Sequence, residues 1–110
     1  MQHQVATRVE SNVSFLRSSQ RVLENIVWDI VDYHFTVNCD TDSFQVSVGI
    51  PGDAQDRLSE PELRKLAETW LVHRLEHGYK LLGQPQSWHR VTQVPMSIVN
   101  YWLANRRLPH

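Results

Sequence analysis

The stretch from Ser59 to Gly78, SEPELRKLAETWLVHRLEHG, constrains the chain more than any other, because every local signal in it agrees on one helix. Ser59 can accept a backbone N–H bond as N-cap, and Glu62, three residues on, can bond back to complete a capping box. Pro61 falls in the first turn, where its missing N–H costs nothing. Leu63, Leu66, Ala67, Trp70, Leu71 and Leu75 recur at helical spacing on one side. Glu60 and Glu62 open the segment and Arg74 and His77 close it, as the helix dipole favours. Gly78 suits the position just past the end.

A helix with one apolar stripe has to lie against something, and the segment before it supplies a surface. Phe35, Val37 and Cys39 alternate with Thr36 and Asn38. Asp40-Thr41-Asp42 provides turn residues, and Phe44, Val46, Val48 and Ile50 alternate with Gln45, Ser47 and Gly49. This pattern predicts an antiparallel hairpin over 34–51 with one apolar and one polar face, ended by Pro51-Gly52-Asp53.

The flanks are less direct. Residues 4–16 alternate, with Val5, Val9, Val13 and Phe15 on one parity, and suggest an amphipathic strand, with a helix the alternative because the valines are also four apart. Val22, Leu23, Ile26, Val27, Ile30 and Val31 fall in i, i+4 pairs and suggest a helix over 20–33, although their β-branched side chains lower its propensity. Trp28 falls outside that stripe. Residues 81–87 read as a loop, and 88–94 as a short strand or a helical turn. Pro95 opens a last helix with Ile98, Val99, Trp102 and Leu103 on its apolar side, closed by Pro109. The expectation is one α+β domain over residues 1–110, an antiparallel, hairpin-based sheet packed against two to three helices.

The charge is uneven. Residues 1–55 hold three arginines and seven acids, and residues 56–110 hold eight lysines or arginines and five acids. After Glu76 there is no acid, against Lys80, Arg90, Arg106 and Arg107. Such a tail faces either an anionic ligand or the acidic half of its own chain or of a partner subunit. No apolar run approaches the ~20 residues of a membrane helix, and the N-terminus lacks the pattern of a signal peptide. The single cysteine, Cys39, cannot form an internal disulfide. A cytoplasmic location with no membrane contact is expected.

Two motifs bear on chemistry. His73, Glu76 and His77 form HxxEH, with both histidines on one side of the helix, so His73 and His77 could ligate zinc with Glu76 as general base. The pattern resembles the inverzincin metalloproteases over five residues. That family takes a further acidic ligand from downstream, whereas here a third ligand would have to be His34, Cys39, His89 or His110. The alternative is that both histidines sit at a helix end for electrostatic reasons. Trp102-Leu103-Ala104-Asn105-Arg106-Arg107 resembles the WFxNRR core of a homeodomain recognition helix, and the segment is similar to the bacterial helix-turn-helix pattern at Ser97, Val99 and Trp102. That resemblance would make Trp102 and Leu103 core, Asn105 a base reader, and Arg106 and Arg107 phosphate contacts. Gly83 and Pro85 break the helix that a homeodomain would place before it. Asn100, Asn105, Arg106, Arg107 and Arg90 are the candidate nucleic-acid contacts.

There is no Gly-rich phosphate loop, GxSxG or CxxC. The reading favoured by these residues is a small binding domain without catalysis or cofactor, with a protein partner or a second copy of itself. Nucleic-acid binding through residues 95–107 is the alternative, and a metal-dependent enzyme using His73, Glu76 and His77 is third. An exposed Trp28 or Trp88 would mark a contact surface.

Overall fold

The computed structural model describes residues 13–39, 42–77, 88–91 and 93–109. Strand β1 (Val13–Leu23) pairs antiparallel with β2 (Ile26–Cys39), and β2 with β3 (Asp42–Pro51). A one-turn helix α1 (Gly52–Gln55) and the long helix α2 (Glu60–Glu76) follow. Strand β4 (Trp88–Val91) then adds to the sheet parallel to β3, and α3 (Met96–Asn105) ends the described chain. The sheet order is β1-β2-β3-β4. The architecture is one α+β domain built on an antiparallel sheet.

The β2–β3 hairpin follows its alternation. Tyr33 stands opposite Val48, Phe35 opposite Val46 and Val37 opposite Phe44. All of these are buried, together with Ile50. Helix α2 covers this face with Leu63, Leu66, Ala67, Trp70, Leu71, Val72 and Leu75. Its capping box forms as expected, with Glu62 N–H donating to Ser59 Oγ and Ser59 N–H to Glu62 Oε1. Two polar contacts hold it in register on the sheet. Tyr33 Oη donates to Glu60 Oε2 at 2.6 Å, and the Arg64 guanidinium lies 4.9 Å from the centre of the Phe15 ring.

The opposite face of the same strands is polar, and Asp32, His34 and Ser47 on it are buried. Asp32 lies opposite Gly49, and His34 opposite Ser47. Ser19 Oγ lies 2.7 Å from His34 Nε2, and Arg21 binds Asp32 through two hydrogen bonds. Gly49 leaves room for this pair, because a Cβ there would meet Arg21 Nη2 at 2.7 Å. Val94 N–H donates to Gly49 O, which ties the entry to α3 onto the sheet. Val99 and Trp102 then bury the inner side of α3.

Three expectations change or sharpen. Residues 20–33 are not a helix. They complete β1, turn at Glu24-Asn25 and begin β2. Their apolar pairs match helical spacing because a two-residue turn separates two runs of apolar residues. The β-branched content, a weak signal against helix, belonged to strands. Residues 13–16 of the predicted first strand lie in β1, and 4–12 lie outside the described residues, as does the predicted 81–87 loop. Of the two forms expected for 88–94, residues 88–91 take the strand.

Candidate functional site

The β1–β2 hairpin outruns the rest of the sheet. The last β2 residue paired with β3 is Ile30, opposite Pro51, and residues 22–29 project past it as a two-stranded arm. At its tip Glu24 and Asn25 have φ of 52° and 65°. Two consecutive left-handed residues are the mark of a type I′ turn, whose twist matches that of its strands. Val22 pairs with Val27, and Leu23 with Ile26. Successive strand residues point to opposite faces, so both faces of the arm are apolar.

None of these side chains enters the core. Val22, Leu23, Ile26, Val27 and Trp28 are all about half exposed, with Val27 at 66% and Trp28 at 46%. The root of the arm is well fastened. Gln20 Nε2 donates to the carbonyls of Trp28 and Ile30. The Asp29 carboxyl occupies the space beside Gly52 where a Cβ would stand. The register shifts between Gln20 and Val22, and this bulge carries the Arg21 side chain to Asp32. The arm is thus a projection fastened at its root, with an apolar surface.

The HxxEH residues lie at the other end of the molecule's long helix. The rings of His73 and His77 stack with centroids 4.1 Å apart, and Trp70 stacks on His73 at 5.6 Å. His77 Nδ1 lies 2.8 Å from the His73 carbonyl. Burial, with the neighbouring His77 and Arg74, pushes the His73 imidazole below its usual pKa. Two rings stacked face to face send their in-plane lone pairs side by side, so one ion bound by both would require them to turn edge-on. Glu76 is exposed, and no group of three metal-ligating side chains occurs among the described residues. His34 lies on the polar sheet face with Ser19. The side chains of Cys39 and His89, and residue His110, lie outside the described part.

The candidate nucleic-acid residues of α3 all have partners within the chain. Asn105 Nδ2 donates to the Tyr101 carbonyl, and Asn100 Oδ1 accepts from Arg57 at 3.4 Å. Arg106 pairs with Glu62 at 3.5 Å, and the Arg107 guanidinium lies over the Tyr101 ring. One cation of the acid-free tail, Arg106, thus meets an acid from α2. Trp102 is core and Leu103 is half-buried. Arg90 lies in β4, with its side chain outside the described part.

Comparison with protein-family models, curated proteins and solved structures finds no match. The surface chemistry is therefore what speaks to function, and its most unusual feature is the arm. Sequence periodicity missed it by assigning its apolar residues to the buried stripe of a helix. The signals that could have found it are the density of β-branched residues around Glu24-Asn25 and the misfit of Trp28 with the helical stripe.

Proposed function

We propose that this chain is a binding domain that pairs with a second copy of itself through the β1–β2 arm. The supporting observation is the exposure of Val22, Leu23, Ile26, Val27 and Trp28 on a projecting hairpin. Five neighbouring apolar side chains of this kind form a patch of several hundred Å2, the scale at which an exposed patch marks a contact site. An arm apolar on both faces suits enclosure by a partner better than lying flat on one surface.

Area favours a second copy. One arm patch falls short of the ~800 Å2 per partner of a standard interface. In a two-fold pair each copy gives its own arm and also the surface that receives the other's, which roughly doubles the buried area. Charge runs the same way, since the N-terminal half is acidic and the C-terminal half basic. The test is sedimentation of the purified chain and of Val27→Lys. Two-chain mass in the wild type, falling to one-chain mass in the variant with unchanged circular dichroism, supports the reading. One-chain mass for both sinks it.

A further inference from the structure

A cavity of about 270 Å3 lies between α2 and α3, well away from the arm's apolar residues in sequence and lined by Glu62, Lys65, Trp102 and Arg106. Glu62 and Lys65, three apart, share one side of α2, Trp102 comes from α3, and Arg106 stands just past the end of α3. We infer that this cavity is a binding site for a small carboxylate.

The charges fit a monoanion. Lys65 has no ion pair among the described residues, and Arg106 meets Glu62 only at a long 3.5 Å. Glu62 also holds the α2 cap through Oε1 and faces Arg106 with Oε2, so its charge is shared between the cap and that cation. Two cations and one anion leave a single positive charge. A guanidinium fork matches the two oxygens of a carboxylate, and the fixed Glu62 disfavours a dianion such as phosphate.

Two further features set these residues apart from an ordinary helix contact. Trp102 is only 3% exposed, and its Nε1–H has no hydrogen-bond partner among the described residues. A buried donor left unpaired is costly and uncommon. Arg106 adopts φ 56° and ψ 30° just past the end of α3. Glycine adopts this conformation freely, whereas a residue with a Cβ is strained there, and such strain clusters at functional positions. The αL turn is closed by Arg106 N–H donating to the Trp102 carbonyl at 2.7 Å. The aromatic wall suits the apolar remainder of an organic acid, and the volume lies just under the ~300 Å3 where pockets for larger ligands begin.

A carboxylate could come from a free organic acid or from an acidic side chain of a second copy, for which Glu24 at the arm tip is the exposed candidate. Titration of the 15N-labelled full chain with sodium benzoate, following the Trp102 indole N–H signal (assigned by its loss in Trp102→Phe), tests the site. The expected result is a saturable downfield shift, weakened at least tenfold by Lys65→Gln and by Arg106→Gly. Both positions are exposed, and the second relieves backbone strain, so both variants should fold. Inorganic phosphate at matched ionic strength should give less than a tenth of the affinity. The same titration on Glu24→Gln separates the sources. Tighter benzoate binding in that variant means a partner's Glu24 normally fills the site, and equal binding means a free acid does. No saturable shift in either protein, or a shift indifferent to Lys65 and Arg106, overturns the inference. Because the readout does not depend on self-association, a failure here leaves the arm reading standing, and the reverse holds as well.

Discussion

Arg21 and Asp32 form a two-pronged ion pair across the β1–β2 ladder, Nε to Oδ2 at 3.0 Å and Nη2 to Oδ1 at 2.5 Å, at the root of the projecting arm. Their side chains are 14% and 3% exposed. A carboxylate this deeply buried is tolerable only with its partner. Arg21→Ala is therefore predicted to destabilise the fold by about 3 kcal/mol, because it removes both guanidinium hydrogen bonds from a buried carboxylate. Replacing both with leucine should cost less than Arg21→Ala alone. Urea denaturation of the two variants checks this, and equal or larger loss in the double variant would contradict it.

Gly49 couples to the same pair. A Cβ there would lie 2.7 Å from Arg21 Nη2, 3.1 Å from Gln93 Cβ and 3.2 Å from Ile30 Cγ2. Gly49→Ala is expected to cost about 1–3 kcal/mol by overpacking. In an Arg21→Ala background the penalty should shrink, since the nearest atom is gone. A double-mutant cycle by chemical denaturation measures the difference.

Tyr33 links the sheet to the first turn of α2. Burial first, and the hydrogen bond and negative charge of Glu60 next, push the phenol well above its usual pKa, so it stays protonated and donates. Tyr33→Phe keeps the ring and loses the bond, which should cost about 1–2 kcal/mol. Glu60→Gln should cost less, because an amide oxygen can still accept.

His73 makes stability depend on pH. Its folded pKa lies below that of a free imidazole, so the unfolded chain takes up a proton first as pH falls through ~6.5. Stability present above that point is lost as pH drops toward the folded His73 pKa, and this group changes it no further below. The denaturation midpoint should be lower at about pH 5.5 than at about pH 7.5, and His73→Gln should narrow the gap. His77→Gln should narrow it too, since it removes one of the charges that depress His73. An unchanged gap in both variants would contradict this assignment.

Local chemistry made much of the fold legible. The Ser59–Glu62 box, Pro61 and the stripe from Leu63 to Leu75 specified α2, and the strict alternation from Phe35 to Ile50 specified the central hairpin. Pro95 marked the start of α3. The arm was illegible because residues 22–31 carry two overlapping periods, and propensity alone does not choose between them. The hairpin is set by the turn at Glu24-Asn25, whose left-handed backbone neither residue type announces as glycine would. The cavity between α2 and α3 was half legible. Arg106 stood out by motif, but its partners Glu62 and Lys65 come from a helix more than thirty residues earlier, and no local pattern joins them. Likewise, the acid-free tail suggested an exposed basic face, and Glu62 pairs with it only in three dimensions.

Self-pairing through the arm is tested most directly by sedimentation velocity over a wide concentration range. The wild-type chain should move toward the mass of two chains as concentration rises. Val27→Lys, at a position 66% exposed, should stay at the mass of one chain with its thermal stability as a monomer intact. A wild-type chain that remains at one-chain mass throughout would contradict the account.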